Sequence, residues 1–159
     1  MSDDGHLYRL GVGVMLLNRE GKVFVGARVD NPEDAWQMPQ GGIDADEEPW
    51  PAALRELEEE TGIAPQLVEL VAECSERLRY DLPEEWRTRL WGGKWRGQEQ
   101  HWFLARFLGS DGDIDLNAHE PEFRDWKWVD PGEVPELIVP FKRDLYRRLL
   151  DDFADYLER

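Results

Sequence analysis

Residues 10–17 form an unbroken apolar run of the length and kind suited to a buried strand, and residues 22–28 resume the pattern after a gap. The gap, Asn18-Arg19-Glu20-Gly21, carries the polar and glycine signal of a tight turn, so the two runs read as a hairpin. Gln40-Gly41-Gly42 reads as a loop. Pro49 and Pro51 fit only the first turn of a helix, which runs to about Thr61 and stops at Gly62. Further strands are expected at residues 67–72, 101–108 and 126–129. From Phe141 onward Leu145, Leu149, Phe153 and Leu157 recur every four residues against Lys142, Arg143, Asp144, Arg148 and Asp151, the stripe of one closing amphipathic helix. Strands mixed with two long helices predict an α/β architecture in which a sheet packs between helices.

No repeat or linker divides the chain, and 159 residues suit one domain spanning 1–159 around a single core, with most of the eight tryptophans inside. The net charge of -16 opposes long-range attraction to nucleic acid and to anionic membranes, which argues against DNA and membrane partners. Any polyanionic substrate must then be captured locally, by carboxylate-held cations or by a small Arg/Lys cluster. The absence of a long apolar run and of a signal-peptide pattern, with Cys74 as the only cysteine, predicts a cytoplasmic protein in a reducing compartment. Cys74 itself reads as a small buried hydrophobe.

The chemistry concentrates in residues 41–63, GGIDADEEPWPAALRELEEETGI. At about 100° per residue, Glu56, Glu59 and Glu60 fall within about 100° of one helix face, beside the arc of Ala53, Leu54 and Leu57. Carboxylates held that close repel one another, and a hard divalent cation with oxygen ligands removes the conflict. For Glu-x-x-Glu-Glu alone, a solvated acidic face is the plain alternative.

The same segment resembles the Nudix box, G-x5-E-x7-R-E-U-x-E-E-x-G-U with U aliphatic, and matches it at Gly41, Glu47, Arg55, Glu56, Leu57, Glu59, Glu60, Gly62 and Ile63. So many fixed positions at fixed spacing set it apart from a chance acidic helix. The resemblance implies a Nudix-type α/β/α sandwich with a mixed sheet, and a metal-dependent pyrophosphohydrolase acting on a nucleoside diphosphate joined to another group. It implies Mg²⁺ as cofactor, with Mn²⁺ able to stand in, and Glu56, Glu59 and Glu60 as ligands. Arg55 would pair with Glu47 and brace the loop against the helix, and a backbone carbonyl near residues 40–42 would complete the metal shell.

Outside the box the chain is similar to the bacterial RNA pyrophosphohydrolases and the related dinucleoside polyphosphate hydrolases. The matching elements are Trp36-Gln37-Met38-Pro39-Gln40-Gly41-Gly42, Tyr80-Asp81-Leu82-Pro83, Gly97-Gln98-Glu99-Gln100-His101-Trp102-Phe103, Glu122-Phe123 with Trp126-Lys127-Trp128, and Val139-Pro140-Phe141-Lys142-Arg143. Met38 departs from the Phe of many relatives, and residues 90–96 lean toward the dinucleoside branch. The resemblance makes Glu122 a further metal carboxylate, with Glu120 close enough in sequence to be mistaken for it. Arg9, Arg28 and Lys142 occupy positions that contact phosphates, and Tyr80 and Gln98 lie near them. Phe141 would stack on a base and Val139 would line its pocket; Phe141 equally fits as the first core residue of the terminal stripe.

The implied reaction is attack of a metal-activated water on phosphorus, with Glu59 or Glu122 as general base and Arg55 beside them. Substrates would be 5′-triphosphorylated RNA or dinucleotides such as diadenosine tetraphosphate; protein partners are left unassigned. Two other readings are a nucleoside triphosphate sanitiser and a Nudix-fold binding module without turnover, whose usual sign, a damaged box, is missing. The segment Asp111-Gly112-Asp113-Ile114-Asp115 followed by Glu122 imitates a calcium loop, but Leu116 stands where the turn needs Gly.

Overall fold

The computed structural model describes residues 8–29, 35–84 and 95–157. Seven strands form one sheet, in the order β4-β6-β1-β2-β7, with β3 added on β1 and β5 on β6. They are β1 (Tyr8–Leu17), β2 (Val23–Arg28), β3 (Gln40–Gly42), β4 (Val68–Glu73), β5 (Leu78–Asp81), β6 (Gly97–Phe107) and β7 (Phe123–Val129). Only β1 and β6 pair in parallel, Tyr8↔Gly97 through Leu17↔Arg106; the other pairings are antiparallel. The helices are α1 (Pro49–Thr61), α2 (Val134–Leu137), α3 (Arg143–Asp152) and α4 (Ala154–Leu157).

The sheet is mixed and sandwiched. On one face α1 buries Ala52, Ala53 and Leu57 against Val12, Val14 and Phe103. On the other, Leu145, Tyr146 and Leu149 of α3 close over Met15, Trp102 and Leu104. Alternation along β1 and β6 divides their side chains between these two cores. No helix among the described residues is long and apolar enough to cross a membrane.

Several local expectations are corrected. Residues 40–42 form a strand, paired Gly11↔Gly42, Val12↔Gly41 and Gly13↔Gln40. Glycines on both sides of this pair erase the apolar pattern that announces a strand. The strand expected from His101 begins at Gly97, because its first inward side chains are the polar Gln98 and Gln100, 1% and 0% exposed. β5 has no counterpart in the expected set: its alternation is only four residues long. The closing helix breaks at Phe153, whose φ and ψ are -103° and 12°. Asp151 and Asp152 end it with negative charge where the helix dipole favours cations. Of the described tryptophans Trp102 alone is fully buried, while Trp36, Trp50, Trp95, Trp126 and Trp128 are half-buried. Trp86 and Trp91, and residues 90–94 of the dinucleoside-like segment, lie outside the described residues.

Candidate active site

Helix α1 is positioned from both ends. Pro49 opens it, and Gly62, at φ 75°, closes it by donating its N–H to the Glu58 carbonyl at 2.8 Å. That left-handed conformation, with the Asp115 carbonyl where a Cβ would stand, accounts for glycine there. With Leu57 locked into the core, Glu56, Glu59 and Glu60 turn to the side and toward the sheet edge.

Arg55 ties the preceding loop to this helix. Its guanidinium grips Glu47 with two bonds of 2.7 Å and donates to Glu56 at 3.0 Å, Glu59 at 3.1 Å and the Gly42 carbonyl at 3.2 Å. This planar fork holds three carboxylates in register. Arg55, followed by the Asp44 N–H, draws the Glu47 carboxyl down to about 2. Gly41 is tight for a related reason: a Cβ there would occupy the position of the Glu56 carboxylate.

Oxygens of Glu56, Glu59 and Glu122 lie within 4.8 Å of one another, a metal-sized acidic group among the described residues. Glu122 precedes β7, and its carbonyl accepts the Val29 N–H at 2.9 Å, which fixes the loop beside β2. Glu120 lines the neighbouring cleft but is not in the trio. Glu60 is not in it either; it is 1% exposed and accepts the Gln40 backbone N–H at 3.2 Å. Burial first, then Glu122 and Glu56, push the Glu60 carboxyl well above the usual range against the pull of Arg28. Burial likewise lifts Glu56 to about 7, with Glu59 and Glu122 adding and Arg55 opposing. The group therefore carries more buried negative charge than its cations offset. Beside it opens a cleft of about 650 Å³ lined by Arg28, Val29, Glu59, His119, Glu120, Pro121 and Glu122.

The expected basic and aromatic residues gather around Gln40. Lys142 is buried, 3.4 Å from Gln40 Oε1 and 4.9 Å from the Tyr80 ring centre. Burial, then Arg28, lower its pKa to about 7 against the opposing pull of Glu60. Tyr80, raised by burial, feels Arg9 and Arg28. The Arg9 guanidinium packs over Gly42, where a Cβ would displace it. Phe141 is half-buried with its ring 6.0 Å from Tyr80, and the Val139 carbonyl accepts the Lys142 N–H at 3.0 Å. Gln98 Oε1 accepts from the Tyr80 hydroxyl at 3.0 Å. The fold thus brings Arg9, Arg28, Tyr80, Gln98, Phe141 and Lys142 to one region, joined to the acidic group through Gln40 and Glu60. The side chains of Gln40, Gln100 and His119 have no role in the sequence reading, which assigns only a backbone carbonyl near residues 40–42; the available signal was the pair of glutamines at alternating strand positions.

The family model of the NUDIX domain matches residues 7–149. The chain belongs to the Nudix family. Its relatives include the RNA pyrophosphohydrolase of Erythrobacter litoralis, 59% identical over 152 residues that cover 94% of this chain and 93% of the relative. The RNA pyrophosphohydrolase of Novosphingobium aromaticivorans is 58% identical over 152 residues, 94% of each chain. Among solved structures, the Escherichia coli dihydroneopterin triphosphate pyrophosphohydrolase superposes with a TM-score of 0.71 at 21% identity, covering 91% of this chain and 98% of that one. A Caenorhabditis elegans Ap4A hydrolase gives 0.65 at 21% identity with the same coverage. These likenesses establish the Nudix fold, an α/β architecture. With its Nudix domain and its pyrophosphohydrolase relatives, the chain is a hydrolase of phosphoanhydride bonds. Nudix hydrolases use divalent metals, and the Glu56, Glu59 and Glu122 group is suited to hold one.

Proposed function

We propose that this Nudix hydrolase removes pyrophosphate from the 5′-triphosphate end of RNA in the cytoplasm, with Mg²⁺ as its working cation and Mn²⁺ able to replace it. The observation that carries this reading is the 59% identity, across nearly the whole chain, to a relative named RNA pyrophosphohydrolase. The donor set supports the metal: Glu56, Glu59 and Glu122 offer oxygen only, which suits a hard divalent ion, and Glu60 adds a fourth acidic group behind them. The raised carboxyls of Glu56 and Glu60 fit an arrangement that a cation completes.

Glu56, Glu59 and Glu122 would hold the cation, which would supply positive charge to the phosphate oxygens and lower the pKa of a nearby water. Glu59, with a side chain 42% exposed against 14% for Glu56, has room for that water and takes its proton; Glu122 is the second carboxylate within reach of the same space. The water oxygen bonds to phosphorus as the anhydride P–O bond breaks, leaving a 5′-monophosphate and pyrophosphate. Arg55 keeps Glu56 and Glu59 aligned during this step. Arg9, Arg28 and Lys142 receive the phosphates, with Tyr80 and Gln98 alongside, and a polyphosphate keeps the Lys142 ammonium charged despite its burial. Phe141 offers a ring face to a base, beside Val139. The net charge of -16 makes DNA and anionic membranes poor partners.

The test is a short RNA labelled in its γ-phosphate, incubated with the protein and Mg²⁺. Release of labelled pyrophosphate, with a 5′-monophosphate end and no reaction in EDTA, is expected. An intact triphosphate end under the same conditions would sink the proposal.

A further inference from the structure

Three glutamines and one tryptophan form a buried polar ladder on the sheet face opposite α1. Trp102 Nε1 donates to Gln100 Oε1 at 2.8 Å, and Gln100 Nε2 donates to Gln40 Oε1 at 2.6 Å and to Gln98 Oε1 at 2.8 Å. An indole N–H can only donate, so the Gln100 atom facing it must be oxygen. The Gln100 nitrogen must then face Gln40 and Gln98, and since an amide nitrogen does not accept, both of those must present oxygen to it. The Lys142 ammonium and the Tyr80 hydroxyl, both donating, meet the same two oxygens at 3.4 and 3.0 Å. Gln98 is 1% exposed, and its Nε2 lies over Gly11, where a Cβ would collide with it.

We propose that Trp102 is a positioning residue for the reaction: its indole N–H fixes the direction of the Gln100 amide and, through it, makes NH₂ the end of the Gln98 amide left to donate to the substrate's phosphate oxygens. This rests on the function proposed above. Gly13 makes the arrangement possible, because a Cβ there would collide with the Trp102 ring. Register supports it: Gln98, Gln100 and Trp102 alternate on one face of β6, Tyr80 lies opposite Gln98, and Gly13 lies opposite both Trp102 and Gln40. Without the indole donor the Lys142 ammonium still holds the Gln40 oxygen, but the Tyr80 hydroxyl accepts as readily as it donates, so the Gln100 and Gln98 amides can reverse, and a reversed Gln98 aims an acceptor at a polyanion.

The experiment compares wild type, W102F, Q100M and the double variant on a 5′-triphosphorylated dinucleotide with Mg²⁺. A hydrogen bond to a charged group corresponds to a factor of about ten or more, so W102F should raise KM about tenfold with little change in kcat. On top of Q100M, which leaves no central amide to orient, W102F should add less than about twofold, as strongly coupled neighbours do. An equal factor in both backgrounds, or an unchanged KM in folded W102F, overturns the proposal. Should W102F not fold, Q100M alone is expected to raise KM about tenfold by the same reasoning, and an unchanged KM overturns it. If the wild type turns over no triphosphorylated substrate, the functional reading fails separately. The side-chain amide signals in a ¹H–¹⁵N spectrum then decide: W102F is expected to shift the Gln98 and Gln40 NH₂ resonances, and unmoved resonances refute it.

Discussion

Metal-free protein should lose stability as the pH rises from about 5 to about 7, the reverse of ordinary acid denaturation. Glu56 is the reason. Its folded carboxyl, at about 7, stands above its ordinary value of 4.5, so the folded state favours the protonated form. The stabilisation is complete below about 4.5 and is lost as the pH passes through about 7. Over that interval the linkage relation gives roughly 2 kcal/mol, reduced to about 1–2 kcal/mol because the side chain keeps some contact with water. For a domain of this size that corresponds to a Tm lower by roughly 3–6 °C. Glu60 is shifted in the same direction and adds to the loss. Glu47, drawn down to about 2, has delivered its own stabilisation below this window, and Lys142, lowered to about 7, restores stability only above it. The assay is thermal unfolding in EDTA at both pH values, for wild type and Glu56→Gln. A flatter profile in the variant is expected, together with a larger Tm gain from Mg²⁺ at the higher pH in wild type. A wild-type Tm that rises with pH in EDTA would refute the argument.

Glu59→Gln should lower kcat by about 100-fold or more while the Tm stays nearly unchanged, because a half-exposed carboxylate contributes to chemistry rather than packing; steady-state kinetics and a thermal melt check both halves. Arg55→Lys keeps the charge and loses the fork, so weaker Mg²⁺ binding, read by isothermal titration, and a loss of about 1–3 kcal/mol in stability are expected. Lys142→Met should raise both KM and Tm, since it removes a buried ammonium whose pKa burial has already lowered. A lower Tm in that variant would contradict this view of Lys142.

What was legible in the sequence was whatever repeats or matches a fixed spacing. Helix α1, its glycine stop and the hairpin of β1 and β2 announced themselves through apolar runs and turn residues. The box located Glu56, Glu59, Arg55 and Glu47, but spacing along a helix does not report depth. Glu60 shares the arc of Glu56 and Glu59, yet it lies fully buried against Gln40 and outside their trio, because the sheet edge closes over that side of α1. The choice between Glu120 and Glu122 likewise depended on where β2 pins the loop. β3 and the start of β6 were illegible because glycines and buried glutamines stand where a strand normally shows apolar alternation. Those same polar positions build the amide ladder, so the segments that escaped the pattern are the ones that carry polar side chains into the sheet beside Gln40.

The most direct test of the proposed function is kcat/KM at fixed Mg²⁺ on a short 5′-triphosphorylated RNA and on diadenosine tetraphosphate, side by side, with products identified. A clear preference for the RNA, yielding a 5′-monophosphate end, is the predicted result. A clear preference for the dinucleotide, with the RNA end left intact, would contradict it.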